Sequence, residues 1–146
     1  MDTDQHGFTH KALTERIIGA FYDVYNELGY GFLESVYHNA LFYELRQRGI
    51  AAQREVSIPV HYRGILVGEF RADLVVENAI VLELKAASQI ERSHEAQLLN
   101  YLKATDFEIG FLFNFGPKAA FRRLVFDNPR KQIRVYPCAS VADTCL

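Results

Sequence analysis

Apolar residues recur at every third or fourth position from Thr9 to Leu28, at Leu13, Ile17, Phe21, Val24, Tyr25 and Leu28, and this spacing predicts an amphipathic helix. Gly29-Tyr30-Gly31 breaks it. A second helix is expected from about Phe32 to Arg48, with Leu33, Val36, Tyr37, Ala40, Leu41 and Leu45 on its buried stripe and Gly49 as its C-terminal stop. The period then changes to two. Between Glu55 and Tyr62 the apolar Val56, Ile58, Val60 and Tyr62 alternate with Glu55, Ser57, Pro59 and His61, the signature of a half-buried strand. Pro59 has no N–H to give a ladder, so the strand belongs at an edge or beside a bulge. Arg63-Gly64 turns the chain into the next strand.

From Arg71 to Lys85 two β-branched, apolar stretches flank Glu77-Asn78, which reads as a hairpin. Glu83 and Lys85 are two apart and therefore share a face. Whether Asp73 joins them depends on the parity of the turn, because a one-residue slip sends every side chain to the other face. A two-residue loop at Glu77-Asn78 opposes Asp73 to Leu82 and separates the acids. An odd loop, Glu77-Asn78-Ala79, opposes Asp73 to Glu83 and gathers Leu74, Val76, Ile80, Leu82 and Leu84 on one wholly apolar face. The odd loop is therefore preferred. Two acids and a lysine then meet on adjacent strands, in outline a metal-and-amine site. The plainer alternative is the solvated face of an amphipathic hairpin.

Ile90 to Ala104 has helical spacing, and Phe107 to Phe115 is a nearly continuous apolar run suited to a strand buried on both faces. A strand, a helix and a further strand in one sheet imply a right-handed crossover. Phe121 to Phe126 and Ile133 to Tyr136 are short candidate strands closing the sheet. The order of elements predicts an α/β sandwich: a mixed β-sheet with a three-strand meander, a crossover helix and further strands, flanked by helices. Residues 1–9 are expected to form a flexible N-terminus, 10–136 a single domain and 137–146 a C-terminal tail.

A chain of 146 residues with 49% hydrophobic content suits one domain with a real core. It has no run of eighteen apolar residues and no basic-then-apolar leader, so a cytoplasmic protein without a membrane span is expected. Cys138 and Cys145, the only cysteines, offer no metal-binding spacing. The five histidines show no zinc spacing, and neither a glycine-rich phosphate loop nor a serine nucleophile elbow is present. The formal net charge of −2 argues against coating nucleic acid by bulk electrostatics. Its distribution is uneven, however: residues 1–116 carry 10 basic and 16 acidic residues, while residues 117–146 carry 6 basic (Lys118, Arg122, Arg123, Arg130, Lys131, Arg134) and 2 acidic. A basic end beside an acidic metal site suits a phosphodiester substrate, although such clusters are as often only a soluble surface.

The layout of Asp73, then Glu83-Leu84-Lys85, then a helix carrying Gln97, resembles the PD-(D/E)XK nuclease superfamily, which includes restriction endonucleases and Holliday-junction resolvases. More narrowly, Gly31-Phe-Leu-Glu34-Ser-Val-Tyr37 is similar to the signature of the GxxExxY family, and Gln97-Leu-Leu-Asn100-Tyr101-Leu102 to a second block of it. The resemblance spans roughly residues 10 to 126, with Ala72 where the superfamily name has proline.

It implies a restriction-endonuclease-like fold and a nuclease that uses Mg²⁺ or Mn²⁺ to hydrolyse nucleic acid, in the first place DNA. Asp73 and Glu83, the Leu84 backbone carbonyl and Glu34 would hold the metal, as hard oxygen ligands should. Lys85 would neutralise charge on the attacked phosphate, or orient or deprotonate the water if burial lowers its pKa. Gln97 would orient the lysine or the water, and Tyr101, Arg122 and Arg123 would contact substrate. A homodimer is expected by analogy only.

Plainer readings stand beside these. Glu34 near a helix start gains from the dipole, Gln97 sits on a helix surface, Tyr37 and Tyr101 pack in the core, and Gly31 serves the helix junction. The alternative to an enzyme is a nucleic-acid-binding or partner module of the same fold with little or no catalysis. A third reading is a small structural domain whose acids are incidental.

Overall fold

The computed structural model describes residues 3–127, with side chains from residue 10 onward. Its elements are α1 (Thr3–Leu28), α2 (Glu34–Gln47), β1 (Ala52–Tyr62), β2 (Ile65–Val76), β3 (Ile80–Lys85), α3 (Arg92–Ala104), β4 (Ile109–Phe115) and β5 (Ala119–Val125). The strands form one sheet in the order β1-β2-β3-β4-β5. β1, β2 and β3 are an antiparallel meander, β4 is parallel to β3 after the α3 crossover, and β5 returns antiparallel to β4. This is the mixed α/β sheet the sequence pattern predicts. One buried cluster packs α1 and α2 on the Leu74, Leu82 and Phe113 face, and another packs Leu98 and Tyr101 of α3 on the Val75, Val81 and Leu112 face.

Several boundaries differ from the pattern. α1 begins at Thr3, so residues 3–8 are helical where a flexible start is expected from sequence. With Phe8 as their one apolar side chain, residues 3–8 offer no apolar period to detect, yet lengthening an existing helix costs little. β1 starts at Ala52, and Tyr62 is 59% exposed rather than buried. The β1–β2 hairpin runs well past the six-residue β3, and no layer among the described residues covers its far end, where residues 61–69 are all exposed. β1 is the edge strand, with a register shift between Val60 and His61 just after Pro59. The candidate strand Ile133–Tyr136, Arg130, Lys131, Arg134, Cys138, Cys145 and the tail lie outside the described residues. Among the described residues no helix is long and apolar enough to cross a membrane.

Local chemistry fixes the ends of α2. Gly49 has φ +76°; its N–H donates to the Arg46 carbonyl, and the Ile50 N–H donates to that of Leu45, a Schellman closure. At the other end Gly31 has φ +121°, a conformation closed to other residues, so the glycine serves the junction. Tyr37 is fully buried and its ring stacks on Phe115, with centroids 4.3 Å apart. Its hydroxyl donates to the Gly29 carbonyl at 2.6 Å and accepts from the Phe32 N–H at 3.2 Å. The loop that delivers Glu34 to the head of α2 is thereby pinned to the sheet.

The segment after Lys85 is held by Asn114, a polar residue only 1% exposed in an otherwise apolar strand. Its Oδ1 accepts the Ala87 N–H at 2.8 Å and its Nδ2 donates to the Ala87 carbonyl at 3.0 Å, which extends β3 by side-chain mimicry. Gly116 makes room for this clamp, since a Cβ there would lie 2.2 Å from the Ala87 oxygen. Gly116→Ala should therefore cost about 2 kcal/mol in urea unfolding. Gly68→Ala, with open space around it, should stay within about 0.5 kcal/mol; equal effects would refute the clamp's steric requirement.

Candidate active site

The β2–β3 turn sets the site. Val76 pairs with Ile80 and Leu74 with Leu82, which leaves the three-residue loop Glu77-Asn78-Ala79. Glu77 and Asn78 take left-handed φ values of 52° and 53°. The loop is odd, as the apolar face requires, and Leu74, Val76, Ile80, Leu82 and Leu84 all join the cluster beneath α1 and α2. The same register, continued one step, opposes Asp73 to Glu83.

At that step the two strands change how they are joined. The Leu84 N–H donates to Asp73 Oδ2 at 2.7 Å, and the Asp73 N–H makes a long 3.4 Å contact to Glu83 Oε2. On the other side, Glu55 has φ +49° and lies between the pairs Arg54↔Leu74 and Val56↔Ala72 without a partner of its own in the register. Ala72 belongs to the cluster under α3 and Leu74 to that under α1 and α2. Residues two apart on a regular strand share a face, so β2 turns over at Asp73. This turn lets a half-buried Asp73 reach toward α2. There Glu34, Ser35 and His38 join Glu55, Asp73 and Leu84 around a cleft of about 300 Å³. The His38 Nε2 lies 3.0 Å from the Asp73 carbonyl oxygen.

Glu83 is 7% exposed. Burial, and then the nearby Asp73 charge, push its carboxyl up to about 8, against the opposing pull of Lys85. Asp73 is also raised by burial, although the Leu84 N–H and the charges of His38 and Lys85 draw it back. Tyr101 is pushed up to about 12 by burial and by the charges of Glu83 and Asp73. A buried Glu83 and a half-buried Asp73 thus share a space with too little positive charge to favour both ionised forms.

That deficit fits a divalent cation held by the Asp73 and Glu83 carboxylates and the Leu84 carbonyl. Mg²⁺ commonly takes one or two carboxylates and fills its shell with water and phosphate oxygens. Among the described residues no three Asp, Glu, His or Cys side chains gather closely enough to hold an ion by themselves. Glu34 stands at the exposed head of α2, on the cleft wall, and acts on Glu83 through its charge.

The other residues singled out from sequence are placed less uniformly. Lys85 is half-buried at the end of β3, on the parity of Glu83. Gln97 is exposed on α3, one turn before Tyr101. Tyr101 is 4% exposed, edge-on to Phe70, and its hydroxyl donates to the Arg71 carbonyl at 3.2 Å. Arg122 shares a cross-strand row with Glu83 through Leu112, but its guanidinium pairs with Glu95 of α3 at 3.1 Å. Arg123, the next residue along β5, is exposed and opposes Phe111.

Sequence reasoning missed His38, Glu55 and Asn114. His38 had a signal, because it is four residues after Glu34 and so lies on the same helix face. Asn114 had one too, as the lone polar side chain in the run Ile109–Phe115. Glu55 had none, since its place follows from its backbone angle.

The raised Glu83 pKa makes a stability prediction for the metal-free protein. Its folded value, about 8, lies above its ordinary 4.5. The folded state therefore holds the proton more tightly, and the resulting stability is complete below about pH 4.5 and lost as pH rises through about 8. Urea midpoints measured in chelator should fall across this window, and Glu83→Gln should remove most of the fall. An equally steep fall in Glu83→Gln would refute the assignment.

The model of the PD-(D/E)XK nuclease superfamily matches residues 11–124, from within α1 to β5. Among solved structures, the crystal structure of SSO0001 is similar at 24% identity with a TM-score of 0.51, covering 62% of this chain; the match spans about half of that protein, 48% of its length. Hjc of Archaeoglobus fulgidus, a Holliday junction resolvase from an archaeal hyperthermophile, is matched at 20% identity over 60% of this chain and 74% of that one, with a TM-score of 0.37. No curated protein matches. The family match takes in the Asp73 and Glu83-Leu84-Lys85 strands, the α3 block and the mixed sheet that joins them: the chain belongs to the PD-(D/E)XK nuclease superfamily, and its fold is restriction-endonuclease-like.

Proposed function

We propose that this chain is a nuclease that hydrolyses phosphodiester bonds in DNA with Mg²⁺ or Mn²⁺, and that it belongs to the GxxExxY branch of its superfamily. Members of the superfamily generally depend on divalent metal. The observation that carries the reading is the pairing of Asp73 with a deeply buried Glu83 where β2 and β3 part, with Lys85 two residues on. Burying two acids side by side is costly unless a cation joins them.

Asp73, Glu83 and the Leu84 carbonyl would hold the ion, with Glu34 as a further acid on the cleft wall. When bound, the ion supplies Lewis-acid polarisation of a phosphoryl oxygen and a lowered pKa for the attacking water. Lys85 neutralises charge gathering on the attacked phosphate, a role suited to a compact ammonium. Gln97 orients the lysine or the water from α3. Tyr101 holds the Arg71 carbonyl at the flank of the site and, with Arg122 and Arg123, contacts the substrate strand. The described residues from 10 onward belong to a single catalytic domain, and the working unit is a homodimer.

A binding module that keeps the fold with little hydrolysis is the second reading. It is favoured by the lack of a third side-chain ligand among the described residues and by the engagement of Arg122 with Glu95. Single-stranded, duplex and branched DNA and RNA, each incubated with Mg²⁺ or Mn²⁺, separate the two. Cleavage of a DNA substrate that drops about 100-fold or more in Glu83→Ala and in Lys85→Ala supports the nuclease. Metal-dependent binding without cleavage of any substrate points to the module.

A further inference from the structure

We propose that His38 is a positioning residue for Asp73: its imidazole holds the Asp73 carbonyl and, through that peptide, sets the aim of the carboxylate into the cleft. The inference rests on the metal-binding reading of Asp73 and Glu83, and adds a residue outside the acid and lysine motif.

A carbonyl oxygen can only accept, so the 3.0 Å contact makes Nε2 the donor. The bond falls where Asp73 has least help from its neighbours. On one side Glu55 leaves the β1–β2 register with φ +49°, and on the other the β2–β3 register begins only at Leu74. The strand changes face at this residue, so its peptides are not fixed by a regular ladder on both sides. Among the described residues only the Leu84 N–H touches the carboxylate itself at hydrogen-bond distance, and one such bond leaves it free to swing about that contact.

His38 supplies the missing constraint from a rigid body. α2 is anchored by Tyr37, Leu41 and Leu45, each 0% exposed, and by the pinned Gly29–Phe32 loop. His38 is half-buried on that helix, four residues from Glu34, and both line the cleft. One helix face thus presents an acid to the cleft and a donor to the peptide of the opposing acid. Residues that orient a metal ligand through a hydrogen bond commonly change metal affinity by 10- to 100-fold when removed.

The test is Mn²⁺ titration by calorimetry on the full chain, which needs no turnover. Wild type, Asp73→Asn, His38→Ala and His38→Gln are compared, with urea midpoints for each. Glutamine places an N–H donor close to the reach of Nε2. His38→Ala should bind Mn²⁺ about 10-fold or more weakly, while His38→Gln stays within about threefold of wild type. On a cleavable DNA, kcat should fall in His38→Ala with KM nearly unchanged. If wild type binds Mn²⁺ and Asp73→Asn does not, but His38→Ala binds as wild type does, the positioning role is refuted and the metal site stands. Equal losses in folded His38→Gln and His38→Ala also refute it. If wild type itself binds no Mn²⁺, the metal reading falls and the inference with it.

Discussion

The hydrogen bond from the Leu84 N–H to the Asp73 carboxylate, at 2.7 Å, marks the point where β2 and β3 stop being an ordinary hairpin and become a site. Up to Leu74↔Leu82 the strands pair as a ladder. One step further, the backbone N–H of each strand is directed at an acid side chain of the other. The exchange places both carboxyl groups between the strands, where burial raises their pKa values, and it keeps their peptides partnered at the same time. It works in one register only, because a slip of one residue would send Leu82 into this place and Glu83 into the core beneath α1 and α2. The odd turn at Glu77-Asn78-Ala79 is therefore a condition of the chemistry as much as of the core.

The rest of the fold keeps that junction from relaxing. Phe21 stacks on Phe113 at 4.4 Å and Tyr37 on Phe115 at 4.3 Å, so both N-terminal helices are set against β4, the strand buried along its whole length. β4 in turn carries Asn114, which holds the chain just beyond Lys85. Gly31, Glu34 and Tyr37 at the α1–α2 junction act as one device. Gly31 permits the turn, the Tyr37 hydroxyl pins the loop by two hydrogen bonds, and Glu34 arrives at the cleft as a result. Aromatic packing is non-directional in its main term, so it supplies rigidity, while the hydroxyl and amide bonds supply position.

Much of this was legible in the sequence because it followed from periodicity. The change from a helical period to a period of two located the helices and the meander, and the demand for one apolar face settled the parity of the turn that opposes Asp73 to Glu83. Periodicity could not report what depends on a single backbone angle or on which layer covers a strand. Glu55 reads as one more polar position on an edge strand, yet its left-handed φ is what frees Asp73. Tyr62 reads as buried by alternation and is exposed because nothing packs over the far end of the hairpin. His38 escapes any search for zinc-ligand spacing, because its partner is a backbone carbonyl.

The charges around the cleft carry one more consequence for how substrate and cation relate. Glu34, Glu55 and Asp73 line it, burial holds the adjoining Glu83 toward its neutral form in the absence of metal, and Arg71 of β2 is paired with Glu55 at 3.6 Å. Lys85 is the remaining cation on the strand that bears Glu83. A phosphate approaching this cleft without metal meets a net negative wall, and repulsion between like charges at close range is worth more than one lysine returns. A bound divalent ion is the largest local charge in such a site and reverses its sign. If these residues hold the proposed cation, its binding and that of phosphate would be coupled, and coupling of equilibrium affinities is reciprocal: the phosphate that needs the ion would also hold it in place. A site with only two carboxylates contributed by the protein is consistent with this, because the remaining coordination is left to water and to the substrate's own oxygens.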